Sequence, residues 1–209
     1  GLGVTRQVVW MLVMTSLAFP ALPAWSALTA DSAWEVRPAN GSDSSGGCYD
    51  TGGSGTDYSQ QNAAQLSLTD LAQTLSSTTL TSATGGFTSL MADNCIQITG
   101  TGTGPFTAGF YEITVFTDTN TVTIDRTACS TANCSGGTGA VGGAVATVEA
   151  IDDAFVAGQT AWIRNEAWNE AISFAVAGTS AAPITVEGYN TTRGDNPTGT
   201  SRPLNDRAG

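Results

Sequence analysis

Apolar and polar residues alternate over several stretches in the middle of the chain, which is the pattern of half-buried β-strands. Residues 96–99, 111–115 and 122–125 place apolar side chains at every second position. The last two stretches are separated by Asp118-Thr119-Asn120, whose composition is typical of a hairpin turn. Because three or more strands with one apolar face can fold on their own, the pattern predicts a compact β-module over residues 66–127.

A different period follows the β-module. Val148, Ile151 and Phe155 recur at spacings of three and four, which places them on one face of a helix. Thr147 is a suitable N-cap, and Gly158 is a suitable residue to end the helix. The pattern predicts an amphipathic helix whose apolar face covers neighbouring strands.

Short alternating stretches return after this helix, at Thr160–Arg164, 172–176 and 184–187. Ile163 and Ile184 lie 21 positions apart, which is about the chain length of one rung in a parallel β-helix. Stacked rungs leave an apolar end that a helix can cap. The alternative is an ordinary α+β domain with these strands in separate sheets.

The first 26 residues resemble a secretory signal. Arg6 precedes an apolar stretch, Val8 to Phe19, which is too short to span a bilayer comfortably. Small residues at positions 24 and 26 predict cleavage before Ala27, and a membrane anchor is the alternative. The predicted organisation is then an N-terminal strand and Gly/Ser-rich loop, a β-module that ends in a Gly-rich linker (Gly136–Gly143), and the helix with the strands that follow it. The predicted boundaries are 1–26, 27–65, 66–146 and 147–209, with Gln65–Leu80 as strand and turn or as a short helix.

Charge narrows the range of partners. The net charge is −11 over 209 residues, and the seven basic residues are all arginine. Nucleic acid is therefore not an expected partner, and contact with a membrane is expected only through the N-terminal segment. The absence of histidine excludes a Ser-His-Asp or Cys-His centre within this chain.

Four cysteines follow the predicted signal, and export permits them to form disulfides. Cys129 and Cys134 bracket a turn-like stretch, so we predict that they pair with each other. Cys48 and Cys95 are the remaining pair. A metal site is not predicted, because the spacing is not C-x-x-C and the chain has no histidine.

The C-terminal stretch GQTAWIRNEAWNEAISFAVAGTSAAPITVEGY resembles the N-terminal portion of right-handed parallel β-helix proteins of the pectate-lyase-like type. The preceding β-module is similar to small modules found before the coil in phage-derived and secreted relatives. The resemblance implies a mainly β fold: a small β-module, a capping helix and the first rungs of a right-handed parallel β-helix. It also implies that any active site lies several rungs further along the chain.

Two functions are compatible with this resemblance. The first is a secreted or cell-surface protein that binds or processes polysaccharide or a cell-surface glycan, with this segment non-catalytic. If the whole protein is an enzyme, it would be a polysaccharide lyase or glycoside hydrolase whose active site lies beyond this segment. The alternative is a structural or adhesive β-helix without enzymatic activity, such as a surface adhesin or a phage-tail-like fibre.

The residues around Trp168 form the candidate carbohydrate site. Aromatic rings stack on the flat apolar faces of sugars, and the acids and amides beside this ring can bind sugar hydroxyls. The neighbouring residues are Glu166, Asn169 and Glu170. Packing of Trp168 in a loop is the alternative. No cofactor is evident. Calcium is considered only for the carboxylates of Asp152-Asp153 and Asp195, for which a solvated helix face and a turn are the alternatives.

Overall fold

The computed structural model describes residues 28–104, 106–167, 170, 172 and 176–198. These residues form one closed six-stranded barrel and one four-stranded sheet, and their helical content is three short 3₁₀ helices. The strands are β1 (Ser32–Val36), β2 (Cys48–Asp50), β3 (Leu66–Gln73), β4 (Thr79–Ser82), β5 (Cys95–Thr99), β6 (Gly109–Asp118), β7 (Thr121–Ile124), β8 (Cys134–Val141), β9 (Thr160–Arg164) and β10 (Thr185–Tyr189). The 3₁₀ helices are Tyr58–Gln60, Ser89–Met91 and Glu149–Ala154.

The barrel strands follow the order β3-β4-β7-β6-β5-β8, and every pair is antiparallel. Alternate residues of each strand point inward, so the apolar positions of the sequence pattern fill the interior. The predicted strands near residues 96, 111 and 122 are present as β5, β6 and β7. The interior contains, among others, the fully buried side chains of Leu71, Leu80, Ile96, Ile113, Val122 and Ile124.

The last barrel strand, β8, contains most of the Gly-rich stretch that was expected to be a linker. Its glycines let large side chains approach the backbone closely. A Cβ at Gly137 would lie 2.4 Å from the ring of Phe106, and one at Gly139 would lie 2.6 Å from the Leu71 side chain. Glycine at positions 137 and 139 therefore reflects packing inside the barrel, where the space is filled by a side chain of the β5–β6 loop and one of β3.

The second sheet has the order β10-β9-β1-β2, and here the prediction of parallel β-helix rungs is wrong. β9 pairs in parallel with both β10 and β1, while β2 is antiparallel to β1. Thr160 is opposite Thr185 on one side and Ala33 on the other, so the neighbour of β9 comes from the start of the described chain. Ile163 lies opposite Gly188 and is therefore not the register partner of Ile184. The fold is a closed barrel with a mixed sheet, and the resemblance to pectate-lyase-like β-helix proteins is not supported. The predicted strand across 172–176 includes residues outside the described part.

The predicted capping helix is also wrong in type, although its buried face is as expected. The chain forms only the six-residue 3₁₀ helix Glu149–Ala154, in which the Ile151 N–H donates to Val148 O (3.1 Å). Val148, Ile151 and Phe155 are all buried. The Thr147 hydroxyl accepts from Ala150 N, as an N-cap would. The helix covers a core between the sheet and the barrel, where the Trp34 ring lies 5.0 Å from Phe110 and 6.0 Å from Phe155.

Both predicted disulfides are present, Cys48–Cys95 and Cys129–Cys134. The first joins β2 of the sheet to β5 of the barrel, and the Asp50 N–H donates to Asp93 O beside it (2.8 Å). We call this contact between β2 and the β5–β6 side of the barrel the seam. The two disulfides are compatible with an extracellular location. Among the described residues, none of the helices is long and apolar enough to cross a membrane.

Candidate functional site

Two of the candidate carbohydrate residues, Glu166 and Glu170, are among the described residues. Both carboxylates accept hydrogen bonds from backbone N–H groups. The Glu166 carboxylate accepts hydrogen bonds from Ala39 N (2.7 Å) and from Asn40 Nδ2 (2.9 Å). The Glu170 carboxylate accepts from the N–H groups of Val148 and Glu149 at the start of the third 3₁₀ helix. These hydrogen bonds hold loops in place, and they occupy acceptor positions of both carboxylates that a sugar hydroxyl would need. Trp168 and Asn169 lie outside the described residues, so the glycan role of this cluster stays a prediction.

The carboxylates considered for calcium are in different settings. Asp195 accepts backbone N–H donations from Asn190, Thr191 and Thr192, and these hydrogen bonds lower its pKa. Asp152 and Asp153 lie side by side in the third 3₁₀ helix. Within the described ranges no three acid, cysteine or histidine side chains cluster closely enough to hold a metal ion. Calcium binding stays a prediction.

The structure also contains a buried charge cluster on the sheet, which was not predicted from the sequence. The Glu35 carboxylate is fully buried in β1 and accepts hydrogen bonds from Arg37 Nε and Arg193 Nε, each at 2.8 Å. The Tyr189 hydroxyl of β10 donates to the same carboxylate. Arg193 also pairs with Asp57 at 3.0 Å and donates to Ser59 Oγ. Burial, and then the hydrogen bond to Glu35, raise the pKa of the Tyr189 hydroxyl.

This cluster contains two carboxylates and two guanidinium groups, so it is neutral as a whole. Both oxygens of Glu35 accept hydrogen bonds from arginine or tyrosine, three in all, and the carboxylate is fully buried, so it is not accessible to a substrate. The raised pKa of Tyr189 also makes that hydroxyl a poor nucleophile. The arrangement ties β1, β10 and the first 3₁₀ helix together. A sequence signal existed, because Glu35 and Arg37 are two positions apart on a strand and so share a face.

A polar cleft lies on the outer face of the β3–β4 hairpin. Its volume is about 210 Å³, and six of its eight lining residues carry a hydroxyl or a carboxamide. Thr79 and Thr81 point outward here because the intervening Leu80 is fully buried in the barrel. Asn133 reaches the hairpin from the start of β8, where its Oδ1 accepts from Leu75 N (2.7 Å). The lining residues are Ala72, Gln73, Thr74, Ser77, Thr79, Thr81, Asn133 and Cys134.

Several polar groups of this cleft are unused. The hydroxyls of Thr74 and Thr79 and the Nδ2 of Asn133 make no hydrogen bond within the part of the chain that the structure describes. The Nε2 of Gln73 is buried and likewise has no acceptor among those residues, while its Oε1 accepts from Ala128 N (2.8 Å). None of the lining residues is charged. The cleft therefore offers donors and acceptors to an uncharged, hydroxyl-rich ligand.

The cleft could not be predicted from the sequence. It needs Asn133, which lies more than fifty residues from the hairpin and is brought there by β3–β8 pairing. The chain matches no protein-family model, and neither a curated protein nor a solved structure matches it significantly.

Proposed function

We propose that this chain is a non-catalytic, extracellular binding module for neutral polysaccharide, and that the sugar binds in the cleft of the β3–β4 hairpin. The observation that carries the proposal is the cleft's uncharged lining of hydroxyls and carboxamides, four of which have an unused donor or acceptor. Sugars present many hydroxyls, and such groups pair with threonine and asparagine side chains in both directions.

The size of the cleft sets the expected affinity. Its volume of about 210 Å³ is below the roughly 300–1,000 Å³ of typical small-molecule sites. It can hold about one sugar unit, with the rest of a chain lying outside. Few hydrogen bonds form in such a site, so we expect a Kd on the order of 1 mM for a single site. A polymer with repeated units would bind more tightly to an array of modules than to one.

Charge favours neutral over acidic polysaccharide. The chain carries a net charge of −11, which repels polyanions at low salt. The cleft has no arginine to pair with a uronate carboxylate. Secretion fits the same proposal, because a signal-like N-terminus precedes four cysteines that form two disulfides.

Catalysis is not proposed for this segment. Glycosidic cleavage needs a positioned acid and a second carboxylate, or a base that can remove a proton beside a uronate. The buried carboxylate of Glu35 is already bound by two arginines, and the cleft contains no carboxylate.

The test is affinity electrophoresis of Thr79→Val in gels that contain neutral or acidic polysaccharides. Valine keeps the shape of threonine and removes the hydroxyl, so one hydrogen bond of about 1 kcal/mol is lost and the Kd should rise roughly fivefold. Thr117→Val is the matched control, since Thr117 is exposed on β6 and does not line the cleft. Equal retardation of the two variants, or retardation only in acidic polysaccharide, would contradict the proposal.

A structural or adhesive role is the second candidate. It is favoured by the way in which the sheet is fastened: the Cys48–Cys95 disulfide and the Glu35 charge cluster join segments that are distant in sequence. Cross-linked contacts of this kind suit a module that bears load. Absence of binding to every polysaccharide in the panel, together with unchanged folding of Thr79→Val, would favour this role.

A further inference from the structure

One carboxylate at the seam is almost fully buried and receives no hydrogen bond from the described part of the chain. Glu112 lies on β6 and is only 5% exposed. It points away from the barrel interior, because its strand neighbours Tyr111 and Ile113 are part of the barrel core. Its register partner is Cys95, whose disulfide crosses to β2. None of the residues that the structure describes donates a hydrogen bond to the Glu112 carboxylate.

The groups that face Glu112 are mostly acids. Asp50 comes from β2, Asp93 from the turn before β5, and Asp125 from the residue after β7, and each acts electrostatically on Glu112. Arg126, the residue after Asp125, is already paired with the Asp125 carboxylate. The Tyr49 hydroxyl of β2 adds no charge near neutral pH, because burial raises its pKa above the ordinary value of a tyrosine. An ionised Glu112 would therefore be buried among like charges on both sides of the seam.

We propose that a proton on Glu112 holds the seam together, and that loss of this proton loosens the sheet from the barrel as far as the Cys48–Cys95 disulfide allows. The neutral acid can be buried beside the other carboxylates at little cost, whereas the ionised form is repelled by them and poorly solvated. The seam is thus an acid-stabilised contact between the two parts of the fold.

The raised pKa of Glu112 agrees with the proposal. Burial first, and then the neighbouring carboxylates, raise it from 4.5 to about 7. Because the folded-state pKa lies above the unfolded one, folding stability from this group is fully present below about pH 4.5 and falls as the pH rises through about 7. Asp70 and Asp195 have lowered pKa values, so their contribution to folding stability is lost as the pH falls, and this occurs only at more acidic pH.

The test is amide hydrogen exchange at the seam, corrected for intrinsic exchange rates, between pH 5 and pH 8. The informative amide is Asp50 N–H of β2, which donates to Asp93 O across the seam. We expect the opening equilibrium constant to rise roughly 50-fold or more over this range in the wild type. In Glu112→Gln, which cannot lose a proton, it should change by less than about threefold.

Glu187→Gln is the matched control, because Glu187 is exposed on the edge strand β10. It should keep the wild-type pH dependence. The proposal is overturned if Glu112→Gln shows the same pH dependence as the wild type. Should Glu112→Gln fail to fold, a ¹³C-carboxyl NMR titration of Glu112 in the wild type decides: a midpoint above about pH 6 supports the proposal, and a midpoint at or below that pH overturns it.

Discussion

Replacing Arg193 by methionine tests whether the buried charge cluster fastens the segment after β10 to the rest of the fold. The Arg193 side chain is 12% exposed, contacts Glu35 at 2.8 Å and Asp57 at 3.0 Å, and donates to Ser59. Methionine is similar in length but has no charge or donor. The change therefore removes three hydrogen bonds and leaves the two carboxylates with fewer cations.

The size of the effect follows from burial. Removing one partner of a buried ion pair costs roughly 3–5 kcal/mol, because the other charge remains buried without compensation. Glu35 retains Arg37 and Tyr189, so we expect the lower end of this range, about 3 kcal/mol. The free energy of unfolding should be measured by urea titration with an unchanged m-value, since guanidinium salt would screen the charges.

Arg164→Met is the matched control. The Arg164 side chain is 37% exposed and its nearest acid, Glu166, is 4.0 Å away, so its removal should cost less than about 1 kcal/mol. If both variants lose the same small amount of stability, the cluster around Glu35 does not hold the fold and the argument fails.

Two other stability predictions follow from the packing and the crosslinks. Phe155→Ala should destabilise the protein by about 3–5 kcal/mol in denaturant unfolding, because the ring is buried against Trp34; a loss below about 1 kcal/mol would mean that the third 3₁₀ helix does not cover the core. Replacing both Cys48 and Cys95 by alanine should cost about 4 kcal/mol, and the same change at Cys129 and Cys134 about 2 kcal/mol, because the first pair closes a loop of 47 residues and the second one of only 5. Equal losses in the two double variants, measured by the same unfolding experiment, would contradict the loop-length argument.

The sequence pattern located strands well and failed to identify their neighbours. Alternation near Ile96, Tyr111 and Val122 predicted β5, β6 and β7, since alternation reports one buried and one exposed face of a strand. It carries no information on which strand lies alongside. The rung-like spacing of Ile163 and Ile184 was therefore misleading, because β9 and β10 are indeed parallel but belong to a sheet completed by β1 and β2.

The strand that closes the barrel, β8, was not predicted because it is rich in glycine. Residues 136–143 have the composition of a flexible linker, yet Gly137 and Gly139 lie in a strand where other side chains fill the space. The candidate site was missed for a similar reason, since Asn133 joins Thr79 only through long-range pairing. The disulfides were predictable, because Cys129 and Cys134 are close in sequence and only one other pair remained.

The most direct measurement of the central claim is a ¹H–¹⁵N NMR titration of the protein with a neutral oligosaccharide. Binding in the β3–β4 cleft predicts dose-dependent shifts at the amides of Thr79, Thr81 and Asn133, with little change at Glu166 and Glu170. A Kd on the order of 1 mM should fit the shifts of all three cleft amides. Shifts confined to residues 166–170, or no shifts with any neutral sugar at tens of millimolar concentration, would contradict the assignment of this cleft as the binding site.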